Sequence, residues 1–168
     1  MEHATPLTTG LTVEPFESFF REEYGRLCQG LLLLTGDRSE AEDVAQEAMT
    51  KVLERWERVG AMDSPSGYLF RSALNIHRNR IRQLRVRTRR VFAEAPASDH
   101  GPSVDAQEDV RRALASLPAT QREVLILVDW LDLDSDEAGR VLDLSANAVR
   151  VRLHRARAAL REALGGAR

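Results

Sequence analysis

The sequence predicts an all-α fold: two small helical domains joined by a flexible acidic linker. Three observations carry that expectation. Apolar residues recur at spacings of three and four through most of the chain, no segment alternates as a half-buried strand would, and the pattern lapses at residues 93–105, where Pro96, Gly101 and Pro102 cluster. The chain's 168 residues leave room for one good core or two small ones. With 43% hydrophobic and 30% charged residues, the composition is that of a folded chain rather than a disordered one.

Residues 1–13 show little periodicity and read as a disordered N-terminal tail. From Pro15 a first amphipathic helix sets Phe16, Phe19, Phe20, Tyr24, Leu27, Cys28, Leu31 and Leu34 on one stripe and stops at Thr35-Gly36. Ser39 with Glu42 three residues on is a capping-box pattern, opening a second helix through Ala41, Val44, Ala45, Ala48, Met49, Val52 and Trp56 to about Gly60. Ser64-Pro65 supplies an N-cap followed by proline at the first helical position, and a third helix continues through Tyr68, Leu69, Ala73, Ile76 and Leu84 to about Arg90. Residues 14–92 thus make the first module. Glu94–Asp109 holds five acids and neither lysine nor arginine, so residues 93–105 are assigned as linker.

The second module, residues 106–168, begins with a helix marked by Val110, Ala113, Leu114 and Leu117 and stopped by Pro118. The next helix takes Pro118 as an early residue and runs through Val124, Leu125, Leu127 and Val128 to about Trp130. Asp134 with Glu137 repeats the cap signal for a short helix to Leu142; Asp143-Leu144 is a turn, Ser145 the next cap, and a last helix reaches Gly165-Gly166. Two short helices across a turn of about three residues, the second one basic, form a helix-turn-helix pattern.

Charge is distributed unevenly. The formal net charge is -2, yet Arg71–Arg90 holds eight arginines and Arg150–Arg161 five, neither block containing an acid. Such local fields are what a polyanion meets. On the last helix Val149, Leu153, Ala156, Leu160 and Leu164 form the apolar stripe, while Asn147, Arg150, Val151, His154, Arg157 and Arg161 point away from it. The N-terminal end of a recognition helix enters the major groove, so Asn147 and Arg150 are the best base readers, with Arg155, Arg157 and Arg161 better placed for phosphates. Six acids between Asp129 and Asp143 directly precede this cationic helix, a separation of signs that a merely solvated face would not need. In the first module, Tyr68 and Phe70 open the helix that carries Arg71, Asn75, Arg78, Arg80 and Arg82, and aromatic rings beside arginines suit unpaired bases. The alternative is that both rings pack inward.

Other chemistry is poorly supported. Cys28 is the single cysteine, which excludes an intrachain disulfide and a cysteine-based metal site; its apolar neighbours point to a buried, inert thiol. His154 has no partner at metal-ligand spacing. No phosphate-cradling glycine loop or nucleophile-base pair argues for an enzyme. Apolar runs such as Leu31–Leu34 are far short of a membrane span, and residues 1–12 lack a secretory pattern, so a cytoplasmic location without membrane insertion is expected.

Three collinear segments, 39–47 (SEAEDVAQE), 68–75 (YLFRSALN) and 145–157 (SANAVRVRLHRAR), with Leu117-Pro118 between the last two, resemble the extracytoplasmic-function (ECF, group IV) sigma factors of bacterial RNA polymerase. The resemblance spans about residues 16–165. It implies that the first module is sigma region 2, with Asp43, Gln46 and Glu47 docking on the clamp helices of the polymerase largest subunit. Tyr68, Phe70, Arg71, Asn75, Arg78, Arg80 and Arg82 would then open and hold the -10 element. The second module would be region 4, contacting the polymerase flap region and reading the -35 duplex through Ser145, Asn147, Arg150, Val151, His154, Arg155, Arg157 and Arg161. The linker acids Glu94, Asp99 and Asp105 would lie near the RNA path, and an anti-sigma factor is a further partner class. No cofactor and no catalytic residue is implied. The chain departs from the family pattern at Asp143, where glycine is common, at Ala138-Gly139, where Ile-Ala is usual, at Leu74, commonly basic, and at Trp130–Asp134. A free-standing helix-turn-helix regulator remains the alternative from the residues themselves.

Overall fold

The computed structural model describes residues 15–88 and 106–165. The tail at 1–13, the linker at 93–105 with its acids, and Arg89 and Arg90 lie outside the described residues. Within them the regular structure is helical throughout: α1 (Phe16–Thr35), α2 (Arg38–Leu53), α3 (Trp56–Val59), α4 (Pro65–Thr88), α5 (Ala106–Ser116), α6 (Ala119–Leu125), a π-helical turn (Ile126–Trp130), α7 (Ser135–Leu142) and α8 (Ala146–Gly165). The all-α expectation holds, as do two groups of helices in the expected order.

Local chemistry sets the boundaries. Gly36 ends α1 at φ 73, its N–H donating to the Leu32 carbonyl at 2.8 Å. Only Gly36 and Asp37 separate α1 from α2, and the Asp37 carboxylate accepts the Glu40 N–H at 2.9 Å. The cap of α2 is therefore Asp37, not Ser39. Both residues are cap formers with an acid three positions on, but a start at Ser39 would leave Asp37 and Arg38 stranded between helices. Glu42 instead pairs with Arg38 at 2.9 Å. The second helix also stops sooner than expected, at Leu53, and Trp56 belongs to the separate short α3. Ser64 behaves as expected, its hydroxyl accepting the Gly67 N–H at 3.2 Å. So does Asp134, which forms a complete capping box with Glu137. Leu84, expected on the apolar stripe, is 56% exposed.

The turn of the helix-turn-helix is tight. Asp143 adopts φ 57, ψ 46, the left-handed region where glycine is commoner, and its N–H closes α7 on the Gly139 carbonyl. Gly139 is needed for another reason: a Cβ there would lie 2.6 Å from the Leu144 carbonyl oxygen. Just before α7, the Leu131 N–H reaches back five residues to the Ile126 carbonyl at 2.9 Å, widening the helix by one residue.

The packing departs from two independent domains. Leu27, Val44, Val52 and Leu69 in the first module and Val124 and Val149 in the second are almost wholly buried, but the buried residues of both modules join in one cluster. The first module's α1 packs on α5, α6 and the π-helical turn, and α4 packs on α7. At Gly30 the backbone of α1 lies bare against the second module, where a Cβ would meet Ile126 Cγ2 at 3.4 Å and Leu131 Cδ2 at 3.5 Å. Each apolar side chain fully buried in this cluster is worth roughly 1.5–3 kcal/mol before entropy is charged against it.

Polar contacts ring the seam. The last carbonyls of α1 have no intrahelical donors, and α1 carries no basic residue in its last turn. The second module supplies them: Arg122 donates to the Leu34 carbonyl at 2.8 Å and Arg111 to that of Gly36 at 3.2 Å. Arg122 also holds the carbonyls of Ala115 and Leu117 at 3.1 Å, although burial lowers its pKa. Elsewhere Arg26 donates to the Leu131 carbonyl at 2.9 Å, and the Ser64 hydroxyl to Glu137 at 3.0 Å.

Alanine is the better helix former by about 1 kcal/mol, so Gly139→Ala would stabilise α7 if space allowed. The Leu144 carbonyl denies that space. The variant is expected to lose about 1–3 kcal/mol of unfolding free energy in chemical denaturation; a gain in stability would show that the turn is looser than described.

Candidate nucleic-acid interfaces

The reading helix α8 is organised as its pattern requires. Val149 and Ala156 are fully buried and Leu153 nearly so, while Asn147, Arg150, Val151, His154, Arg155, Arg157 and Arg161 are exposed. Ser145 spends its hydroxyl as the N-cap, accepting the Ala148 N–H at 3.2 Å. Its role is therefore first to begin the helix. Asn147 and Arg150 stand at the start of α8, both exposed and able to meet an edge of a base. Arg157 differs from its neighbours: its guanidinium engages the Asp129 carboxylate through two N–H groups, and that pairing raises its pKa. Arg161 donates to the Arg157 carbonyl at 3.3 Å.

Residues 68–82 lie along α4, but the helix distributes them around its circumference. Tyr68 is half-buried, and Arg55, donating to its hydroxyl at 3.0 Å, lowers the phenol pKa. Phe70 is a correction. At 2% exposure it belongs to the core, lining a small cavity with Leu27 and Leu31 of α1 and Ile126 and Leu127 of the second module. No base can stack on it in this arrangement. Asn75 is exposed. Arg71 donates to Asp143 at 2.7 Å, and Arg78 forks onto Glu123 at 3.0 and 2.6 Å. Those hydrogen bonds to Glu123 raise the Arg78 pKa. Arg80 reaches Glu47 at 2.9 Å, and Arg82 donates to Asn79 at 2.9 Å. Arg71, Arg78, Arg80 and Arg82 of the first block are thus engaged, whereas the reading end of the second block is exposed.

The acids singled out on α2 share its solvent side. Asp43 and Gln46 are exposed and Glu47 is partly so, beside Ala45 and Ala48, which are fully buried. Lys51, donating at 2.9 Å, and then Arg80 hold the Glu47 carboxyl below its usual range. The first-module aromatics behave as core: Phe16, Phe19 and Trp56 cluster at ring separations of 4.9–6.4 Å, though Phe20, stacked on Tyr24, remains 37% exposed. Cys28 is half-buried, and burial pushes its thiol up, as an inert cysteine requires. Among the described residues no group of three or more metal-ligating side chains occurs, and no helix is long and apolar enough to cross a membrane.

Several participants were not singled out from sequence. Asp143, Glu123 and Asp129 are the arginine partners, and only Asp143 carried a hint, a charged residue where a turn favours glycine. Arg140, exposed on α7, joins the candidates for phosphate contact, since the first helix of such a motif crosses the backbone.

The chain matches known families across both modules. Residues 19–87 match the model for Sigma-70 region 2, and residues 107–160 that for Sigma-70, region 4. It is similar to the RNA polymerase sigma-E factor of Streptomyces coelicolor, 29% identical over 151 residues, covering 89% of this chain and 85% of that protein. It is also similar to the ECF RNA polymerase sigma factor SigW of Bacillus subtilis, 26% identical over 161 residues, covering 86% and 84%. Its fold resembles that of the sigma factor RpoE solved in complex with the anti-sigma factor NepR from Bartonella quintana, with a TM-score of 0.77 at 22% identity, covering 91% of this chain and 98% of that one. Two modules in the same order, a helix-turn-helix at the second and matches to both regions place this chain among the extracytoplasmic-function sigma factors of the sigma-70 family.

Proposed function

We propose that this sigma factor binds core RNA polymerase, directs it to promoters by reading the -35 element as duplex through α8, and holds the opened -10 strand along α4. One observation carries the reading most of all. The two basic helices differ in kind: α8 presents Asn147 and Arg150 at the exposed N-terminal end of a helix-turn-helix, whereas α4 sets arginines beside Tyr68 and Asn75. A helix shaped for a groove and a surface suited to unpaired bases describe successive demands of one process. Polymerase supplies the chemistry, so the chain needs neither catalytic residue nor cofactor and would act in the cytoplasm.

Asp43, Gln46 and Glu47 on α2 are the proposed docking residues for the largest-subunit clamp helices, with the second module meeting the flap region. Their exposure beside buried alanines favours an acidic surface held rigidly by the core behind it. An anti-sigma protein is a further partner class of this reading, since a solved structure with a similar fold is a complex with one.

Run-off transcription with purified core polymerase and a promoter library tests the reading, with initiation from a defined subset expected and none at all sinking it. Arg150→Ala is expected to relax preference at particular -35 base pairs, each good bidentate contact being worth roughly 1–3 kcal/mol. Arg155→Ala should instead weaken binding evenly across sequences and flatten its salt dependence; indistinguishable effects in a binding-site selection assay would refute that division. Reversing charge at Asp43 and Glu47 together should weaken association with core by about ten-fold or more through like-charge repulsion, with circular dichroism unchanged. Undiminished core binding in a pull-down titration would remove both from the docking face.

A further inference from the structure

Nothing in the packing of α8 asks for a valine at position 151. It lies two residues after Val149 and two before Leu153, both turned into the core, so it points about 160° away from each. At 45% exposure it is, among the described residues of α8, the one large apolar side chain left to solvent. Valine also forms helix less readily than alanine or the long polar residues, so helix propensity does not favour it. Its neighbours on that face are Asn147 and Arg150 on the turn before and His154 and Arg155 on the turn after, all of them polar and exposed. A single exposed valine elsewhere on a surface would carry no message. This one sits in the middle of the face that the helix-turn-helix presents.

We propose that Val151 is a specificity-determining residue that reads the C5-methyl group of a thymine in the major groove of the -35 duplex. The inference rests on the duplex-reading role of α8 and adds an apolar contact to the polar ones assigned to Asn147 and Arg150. Among the groups that base pairs show in the major groove, the thymine methyl is the apolar one, and it is matched by an apolar side chain rather than by a hydrogen bond. Branching at Cβ suits that task. In a helix valine has essentially one χ1 rotamer, so its two methyl groups are in place before DNA arrives and little side-chain freedom is lost on contact. One helical turn advances about 5.4 Å and one base step about 3.4 Å, which puts a thymine within about two base pairs of the pair met by Asn147 in reach of Val151.

Deoxyuridine differs from thymidine by that one methyl. The full-length chain assembled with core polymerase would be titrated with duplex oligonucleotides carrying the -35 sequence the parent selects, each thymine of either strand replaced in turn by deoxyuridine. At one position the replacement should weaken binding by the parent about four-fold, the factor expected from burying one methyl-sized group. Val151→Ser should bind the thymine and deoxyuridine duplexes equally, and Val151→Thr, which keeps one methyl, should fall between. Because the position is exposed, thermal denaturation of both variants should match the parent. Absence of any deoxyuridine-sensitive position in the parent would overturn the inference, as would an equal penalty in Val151→Ser or selection of an element without an A·T pair. A parent holoenzyme that selects a defined -35 sequence but ignores the thymine methyl leaves the promoter-specificity reading intact and removes the methyl contact alone. One that selects no sequence ends both.

Discussion

How closely α1 can approach the π-helical turn decides the rest of this structure. At Gly30 the helix has no side chain, and Ile126 and Leu131 settle over the bare backbone. That approach brings the end of α1 within reach of Arg111 and Arg122, which satisfy carbonyls the helix leaves open. It also brings α4 against α7 and so sets Arg71 and Arg78 opposite acids. A glycine that weakens its own helix by about 1 kcal/mol is repaid across the seam rather than within it.

The near-neutral total charge acquires a spatial meaning here. The acids between Asp129 and Asp143 were first apparent as the counterweight to the basic helix that follows them. In the fold they are divided. Asp129 holds Arg157 within the second module, Asp143 crosses to Arg71, and Glu137 ties the start of α7 to Ser64 at the start of α4. One basic helix keeps its reading end exposed to solvent while the other has Arg71, Arg78 and Arg80 paired with acids. Exposed ion pairs of this type contribute little stability singly, so their weight lies in which guanidinium groups they leave available.

Most of the helices were legible because their ends are written in local chemistry. Gly36, Ser64-Pro65, Asp134 with Glu137 and Ser145 each mark a boundary within a few residues of the atoms they satisfy. The α2 cap was misread because Asp37 and Ser39 offer overlapping signals, and the short Gly36-Asp37 connection decides between them. The exposed face of α8 was legible for the same reason, since helical spacing fixes which residues oppose Val149 and Ala156. What sequence could not convey was contact between modules. Whether Phe70 faces solvent or core depends on Ile126 and Leu127, more than fifty residues away. The pairing of Arg78 with Glu123 spans 45 positions and leaves no periodic trace.

The widened turn at Ile126–Trp130 bears on how chains of this kind diverge. Its hydrogen bond spans five residues instead of four, so one extra residue is absorbed in the last turn, immediately before the chain leaves helical geometry at Leu131. Deletion of one residue there is a change of phase rather than a loss of structure. It would change which side chains of the turn meet Gly30 while leaving untouched every side chain on the reading surface. A one-residue gap in this turn would therefore mark a different seating of the second module on α1.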